Sequence, residues 1–289
     1  MQPHFLRETF APPPGMPAID FSAPAGAPAL FAADSLTWRV MKNPIALLAG
    51  GIAAVILELA EPRVRTGIWE HTSFRGDPVS RIRRTGYATM ATIYAPAEAA
   101  RALIARVNAM HARVSGTTPA GVAYRADDPE LLNWVQATAA FAFSEAYYRF
   151  ARPLSRAERD LFYAEGAGPT VLYGATGAPR SAAEMEALFA AMRGKLERSE
   201  IVFEFLQIMR RAHFLPSRML QRLVVRGAVD IVPAWVRHIL GLGASHGLRF
   251  GEASLLRALG AAGERVVLRE APPAQACVRM GLPARALYR

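Results

Sequence analysis

Proline stands at the start of one apolar helical segment after another in this chain of 289 residues. A proline costs little in the first turn of a helix, because its missing N–H would have no partner within the helix there. The prolines with this position are Pro44, Pro96 and Pro129. Two Ser-x-x-Glu strings, at 155–158 and 181–184, have the spacing of a capping box. No alternating strand run, hairpin signal or internal repeat accompanies them, so the pattern predicts an all-α protein.

These signals predict a single multi-helix bundle of globin-like density. Residues 1–33, rich in Pro, Ala and Gly, are expected to form an extended N-terminal arm, either mobile or draped over the domain. Residues 34–260 should form the helical domain, and residues 261–289 a loose C-terminal tail. A Gly/Pro-rich joint at 166–180 is the only candidate break within the domain, and it does not justify a boundary.

The chain is apolar and basic, with 52% hydrophobic residues and a formal net charge of +10. The basic residues are mostly arginines and are scattered, without zinc-finger spacing or a recognition helix, so we expect no nucleic-acid partner. A solvated surface is the simplest account of the charge, and attraction to an anionic membrane surface is the second. The single cysteine, Cys277, excludes an intrachain disulfide. No obligate protein partner is expected.

The N-terminal residues lack the apolar stretch of a signal peptide. The most apolar stretch, residues 45–57, is shorter than the ~20 residues that a membrane span needs. We therefore expect a cytoplasmic protein, and peripheral contact with a membrane remains an open alternative.

Two short strings hold the candidate site residues. In RIRRT, Arg81, Arg84 and Thr85 stand at i, i+3 and i+4, which is one face of a helical turn. In MHARVSG, His111 continues an apolar row with helical spacing that includes Ile104, so its imidazole should point inward. An inward imidazole near a cationic, hydroxyl-bearing turn suits a haem or metal pocket. The simpler alternatives are a core histidine bonded to a backbone carbonyl and arginines on a solvated helix face.

Other site chemistries lack their motifs. The chain has no P-loop and no dinucleotide fingerprint, no nucleophile elbow, and neither H-E-x-x-H nor the paired E-x-x-H of di-iron bundles. The remaining histidines show no ligand spacing to one another. Because a macrocycle supplies four ligands and the protein needs to add only one, haem fits a single inward histidine better than a non-haem metal does.

The order of eight strings resembles one known family, across about residues 34–242. The strings are WRV (38–40), LLAGGIAA (47–54), EHTSFRGDP (70–78), RIRRT (81–85), MHARVSG (110–116), YRADDPELLNWV (124–135), PLSRAERDLFYAE (153–165) and VPAWVRHILGL (232–242). The chain resembles the DUF2236 family, which includes rubber oxygenases (latex clearing proteins) and the fungal oxygenase that cleaves the prenyl chain in mycophenolic acid biosynthesis.

The resemblance implies an all-α fold that holds haem b. His111 matches the family's proximal histidine, the iron ligand, in its M-H-A-x-V string. Arg81 and Thr85 match the Arg and Thr of the R-x-x-x-T string that lines the haem pocket. Arg84 is a departure, because rubber oxygenases have a lysine there that can cover the distal iron face. An arginine is larger, always charged and a poorer iron ligand.

The resemblance also bears on carboxylates near the haem. Glu58 and Glu61 stand where many relatives carry Gln and His, so the polarity of the distal pocket is expected to differ. Rubber oxygenases use a distal glutamate as a base, and no residue aligns with it clearly. We expect Glu70 to take that role, because its segment must fold back on the arginine turn. The alternative for Glu70 is a surface carboxylate.

The function that the resemblance implies is a haem b-dependent oxygenase. It would use O2 as co-substrate to cleave a C=C bond of an isoprenoid or another long apolar substrate into two carbonyls. A cytoplasmic protein would act on a smaller isoprenoid or lipid-like molecule rather than on extracellular rubber. Two alternatives remain open, a non-catalytic haem-binding sensor or carrier and a helical protein of this fold without haem.

Overall fold

The computed structural model describes residues 11–288 and confirms the all-α class. Within those residues the chain forms thirteen α-helices and one small two-stranded sheet. The helices are α1 (Leu36–Met41), α2 (Pro44–Glu58), α3 (Pro62–His71), α4 (Pro78–Tyr94), α5 (Ala97–His111), α6 (Pro129–Phe150), α7 (Arg156–Val171), α8 (Ala182–Met192), α9 (Glu200–Arg211), α10 (Arg218–Ile231), α11 (Ala234–Leu240), α12 (Glu252–Gly263) and α13 (Pro272–Arg279). Short 3-10 turns lie at Arg193–Lys195 and Ala244–His246.

The centre of the fold is the packing of α2 against α6. Small residues allow the two backbones to approach closely. A Cβ atom added at Gly50 would lie 3.0 Å from the Phe143 Cα and 3.1 Å from the Ala142 carbonyl oxygen. The apolar stretch of residues 45–57 therefore lies in the protein core. Within residues 11–288 no single helix is long and apolar enough to cross a membrane; α2 and α3 reach that length and apolarity only together, and they are bent by 112°.

Local capping signals determine where several helices begin. Asn43 accepts hydrogen bonds from the backbone N–H groups of Ile45 and Ala46, and Pro44 follows it in the first turn of α2. Pro96, by contrast, is the residue just before α5. The capping box at 155–158 is complete. At 181–184 only the serine half forms, because the glutamate accepts from the N–H of residue 180 instead.

A small hairpin follows α5, and the sequence patterns did not predict it. Strand β1 (Ser115–Thr117) pairs antiparallel with β2 (Ala123–Arg125), with Gly116 opposite Tyr124. A Cβ atom at Gly116 would lie 2.7 Å from the Tyr124 hydroxyl, so glycine leaves the space that the ring occupies. Helix α5 ends at His111, and the chain then turns into the hairpin.

The joint expected at 166–180 begins inside a helix. Helix α7 continues through the string GAGP to Val171, with Pro169 in its last turn, rather than ending near residue 165. Its Glu165 carboxylate accepts from the backbone N–H groups of Leu36 and Thr37 at 2.9 and 2.8 Å. This contact links α7 to the first turn of α1.

The described part of the N-terminal arm is draped over the helices. The Tyr87 hydroxyl of α4 donates to the Pro17 carbonyl at 2.8 Å and accepts from the Ile19 N–H at 3.0 Å. Phe21 and Phe31 are buried in the core. Residues 1–10 of the predicted arm lie outside the described residues, so the expectation for them is untested.

The C-terminal segment is not loose, and that expectation was wrong for the residues up to 288. It contains α13, in which Cys277 is fully buried. The Arg279 guanidinium donates to the backbone carbonyls of Phe21 and Ala27 at 2.7 and 2.9 Å, which joins the tail to the N-terminal arm. Proline misled the prediction, because Pro272 opens a helix here rather than interrupting one. The limits predicted for the helical domain remain a prediction.

Candidate functional site

The candidate site lies where α4, the end of α5 and the end of α2 approach one another. Arg81 is in the first turn of α4, His111 is the last residue of α5, and the two helices pack together. Glu58 is the last residue of α2 and interacts electrostatically with Arg81. The charge of Arg81 also acts on His111. Three groups from three helices therefore share one electrostatic environment.

His111 is half-buried, and neither ring nitrogen has a hydrogen-bond partner among the described residues. Its Nδ1 atom is buried without a partner within residues 11–288. Burial lowers the pKa of the imidazole, the charge of Arg81 lowers it further, and Asp127 opposes both effects. The fold therefore favours the neutral imidazole, which is the form that binds metals. Among residues 11–288 no backbone carbonyl bonds to the ring, in contrast to the core-histidine alternative.

Arg81 is oriented by contacts with its own helix and with an aromatic ring. Its Nη1 donates to the Thr85 hydroxyl at 2.9 Å, and that hydroxyl donates to the Arg81 carbonyl at 3.0 Å. Its guanidinium lies over the Phe74 ring, 5.5 Å from the centroid. Burial lowers the pKa of Arg81, and the charge of Glu58 opposes this. The Nε atom is buried and unpaired among the described residues, which leaves a donor for an anionic group.

The rest of the arginine turn lies at the edge of the site. Arg84 is half-buried, and its Nη2 donates to the Ser73 hydroxyl at 3.3 Å. Its Nε atom is buried and has no partner within residues 11–288. Thr85 is exposed, and its hydroxyl bonds with Arg81 and with no other residue of the described chain. The turn thus carries two guanidinium groups with unused donors, and Thr85 positions one of them.

Glu58 is a site residue that the sequence reasoning noted only as a departure from the family pattern. It is half-buried and has no hydrogen bond or ion pair with any described residue. Burial raises the pKa of its carboxyl from 4.5 to about 7, and the charge of Arg81 limits the rise. A signal was available, because Glu58 is the only charged residue in the fifteen of α2. A lone carboxylate that ends an apolar core helix requires a specific environment.

The surroundings of Glu70 and Glu61 differ from those of Glu58. Glu70 is exposed on α3, and its carboxylate accepts from the Tyr124 hydroxyl at 3.4 Å. No contact described for it reaches Arg81 or His111. Glu61 is buried and caps α3, where it accepts from the Val64 N–H at 2.8 Å. The structure therefore brings Glu58, rather than Glu70, into the electrostatic environment of Arg81.

The buried nitrogens without partners would suit a ligand that carries both a metal ion and carboxylate groups. Buried nitrogens without partners occur on His111, Arg81 and Arg84, which is the set that a propionate-bearing iron macrocycle would engage. Among residues 11–288 no group of three or more His, Cys, Asp or Glu side chains could hold a metal ion. A metal at His111 would therefore need further ligands from another source, and a macrocycle provides them.

A surface cavity of about 320 Å³ lies elsewhere, between the end of α6, the end of α10 and the start of α12. Tyr148 and Arg257 are among its lining residues. Helix α6 begins just after Asp127 and is about 33 Å long at 1.5 Å per residue. This cavity is therefore at the opposite end of the helix from the His111 region, and it is a separate feature of the surface.

Comparison with known families assigns the chain to the oxygenases, a class of enzymes. A family model of an oxygenase catalytic domain matches residues 38–263, which is well over half of the chain. The chain belongs to the family described as ER-bound oxygenase mpaB/B′ and rubber oxygenase, catalytic domain. A search of curated proteins and a search of solved structures each found no match.

Proposed function

We propose that this chain is a haem b-dependent oxygenase that uses O2 to cleave a C=C bond in an isoprenoid or another long apolar substrate. Its membership of an oxygenase family supports an enzyme of this general type. The observation that carries the haem proposal is His111, a half-buried imidazole that is held neutral and has no partner on either nitrogen within the described chain. A buried polar atom without a partner is costly unless a ligand satisfies it.

The roles of the side chains follow from their chemistry. The neutral imidazole of His111 would hold the haem through its iron, and the spare donors of Arg81 and Arg84 would bind its carboxylate groups. Haem b, when bound, would supply the iron centre at which O2 is activated. Thr85 and Phe74 would hold Arg81 in its orientation through the hydroxyl and ring contacts described above.

Glu58 is the carboxylate that we propose as the proton-holding group of this site. With a pKa raised to about 7, it is present in both protonated and deprotonated forms near neutral pH. The guanidinium of Arg81 favours the deprotonated form of Glu58. An anion bound near Arg81 would therefore alter the proton affinity of Glu58. Glu70 is exposed and bonded to Tyr124, which supports Glu58 over Glu70 for this role.

The proposed reaction balances without an external reductant. One C=C bond and one O–O bond break, and two C=O bonds form, so both oxygen atoms of O2 enter the products. The chain's contribution is to bind and orient the reactants and to hold a proton at the Glu58 carboxylate.

The test is to incubate the haem-loaded protein with a long isoprenoid alkene such as squalene under ¹⁸O2. We expect carbonyl products that carry ¹⁸O, a rate strongly reduced in Glu58→Gln, and a rate close to wild type in the matched variant Glu70→Gln. Haem binding without any cleavage across a panel of isoprenoid and lipid alkenes would refute the catalytic proposal and favour a sensor or carrier. Equal rates in both variants would refute the role given to Glu58.

A further inference from the structure

The surface formed by α12 and the loop before it combines exposed apolar side chains with exposed arginines. We name it the α12 surface, and its members are Arg249, Phe250, Leu255, Arg257, Arg265 and Val266, all of them exposed. Phe250 is fully exposed at the tip of the loop. Together with exposed Leu255 and Val266 it gives this surface an apolar component that a partner could cover.

The packing of α12 places these residues on its outer side. The inner side of the helix holds Leu256, Gly260 and Gly263, which are buried. A Cβ atom at Gly260 would overlap the Phe150 carbonyl of α6, which shows how closely this side approaches its neighbour. Leu255 and Arg257 are the exposed neighbours of Leu256 and lie on the two flanks of the helix, about 100° to either side of it, and exposed Arg265 follows the last turn. The exposed side therefore extends over about 18 Å of helix.

The exposed charge of this surface is entirely positive. The charged residues between positions 249 and 269 include four arginines, and all four are exposed: Arg249, Arg257, Arg265 and Arg269. The two acids in the same segment are half-buried and paired with cations. Glu252 accepts from Arg226 of α10, and Glu264 lies 2.9 Å from the Lys42 ammonium. The side chains of these two acids thus pair with cations of other elements, and of the four arginines only Arg249 is described as acting electrostatically on one of them, Glu252.

We propose that the α12 surface docks the protein on an anionic lipid bilayer. Arginines attract a negatively charged headgroup layer, while Phe250 and Leu255 enter the apolar boundary below it. The neighbouring helix α10 also carries an exposed apolar side chain and an exposed arginine, Met219 and Arg222. They lie on the same face of α10 as Arg226, which pairs with Glu252, the first residue of α12.

A nucleic acid is the other polyanion that such a surface could attract. Non-specific binding of single strands relies on aromatic rings on which bases stack, in a groove that follows the backbone. Here a single exposed ring, Phe250, accompanies three exposed aliphatic side chains, Leu255, Val266 and Met219, so the surface does not offer successive rings for successive bases. These features favour a lipid surface over a nucleic acid.

The experiment measures co-sedimentation of the full chain with lipid vesicles. One set contains phosphatidylcholine alone, and the other contains phosphatidylcholine and phosphatidylserine in equal parts. We expect binding to the anionic vesicles only, with weaker binding at higher ionic strength. Removing Arg257 and Arg265 together, as Arg257→Gln with Arg265→Gln, should lower the partition coefficient about fivefold per arginine. Phe250→Ser should lower it about tenfold.

Matched variants separate this surface from the overall charge of the protein. Arg101→Gln with Arg156→Gln removes the same charge from exposed positions on α5 and α7, and Leu161→Ser removes an apolar side chain that is 50% exposed on α7. These variants should bind like wild type. All substituted side chains are exposed, so the fold should tolerate the changes, and circular dichroism checks this.

A second readout reports insertion directly. The indole of Phe250→Trp should show a blue-shifted emission with anionic vesicles and quenching by brominated lipid chains. Vesicle binding that falls equally in the matched variants would overturn the proposal in favour of diffuse charge attraction. Three other results would overturn it as well. The protein could fail to bind anionic vesicles, the emission of the indole could stay that of an indole in water, or duplex DNA at equal charge could displace the protein from the vesicles.

Discussion

The carboxyl of half-buried Glu58 should make the stability of the haem-free protein depend on pH. Its pKa is raised from 4.5 to about 7, chiefly by burial. A group whose pKa is higher in the folded state than in the unfolded state stabilises the fold below the lower value, and that contribution is lost as the pH rises through the higher one. Each unit is worth about 1.36 kcal/mol, so a rise of about 2.5 units corresponds to about 3 kcal/mol.

The perturbation is Glu58→Gln, which keeps the shape of the side chain and removes its ionisation. The variant and the wild type should unfold at similar urea concentrations at about pH 4, where Glu58 is neutral in both folded and unfolded states. At about pH 8 the variant should be more stable by about 3 kcal/mol, because the wild type must then bury a carboxylate that has no described hydrogen-bond partner.

The assay is urea unfolding followed by circular dichroism across this pH range, expressed as the difference between variant and wild type. Other titrating groups cancel in that difference. Glu70→Gln is the matched control, because it makes the same chemical change at a glutamate whose side chain is exposed. A flat difference for Glu58→Gln, or one of opposite sign, would refute the assigned environment of Glu58.

Three further predictions concern other parts of the chain. Gly116→Ala should destabilise the protein by about 2 kcal/mol in thermal unfolding, because the added Cβ would overlap the Tyr124 ring; no change would contradict the hairpin register. His111 should titrate below 6.5 in an NMR titration of the haem-free protein, because burial and the charge of Arg81 lower its pKa. The stability that the neutral imidazole contributes should be lost as the pH falls through the lowered pKa. A pKa above 6.5 would contradict the proposed environment. Lys42→Met should cost about 2 kcal/mol in urea unfolding, because it removes a buried ion pair with Glu264; a neutral effect would show that the pair adds no net stability.

The helices were predictable because their signals are local. A proline with a preceding cap, as at Asn43 and Pro44, acts within a few residues and needs no knowledge of the rest of the fold. The hairpin escaped prediction because its strands have only three residues each, too few for an alternating pattern. The C-terminal helix escaped because Pro and Ala are common both in loose segments and at the starts of helices, and tertiary burial of Cys277 decides between the two.

The candidate site shows the same difference between features set by local sequence and features set by tertiary contacts. The inward direction of His111 and the shared face of Arg81 and Thr85 could be predicted from helical spacing. The structure has a buried Nδ1 in His111 and a hydrogen bond from Arg81 to Thr85, and the roles of these residues remain predictions. The interaction of Glu58 with Arg81 joins two helices that are far apart in sequence, and no local pattern reports it. The position of Glu70 was inferred from the chain folding back, but α3 turns that side chain outward to Tyr124.

Haem binding at His111 is the central claim, and the visible spectrum tests it most directly. The measurement is a haemin titration of the wild type, of His111→Ala and of His238→Ala, a control in which an exposed histidine on α11 is removed. We expect the wild type and His238→Ala to develop the same Soret band of protein-bound haem, and His111→Ala to lose or greatly weaken it. A folded wild type without a Soret band, or His111→Ala with an unchanged spectrum, would contradict the proposal.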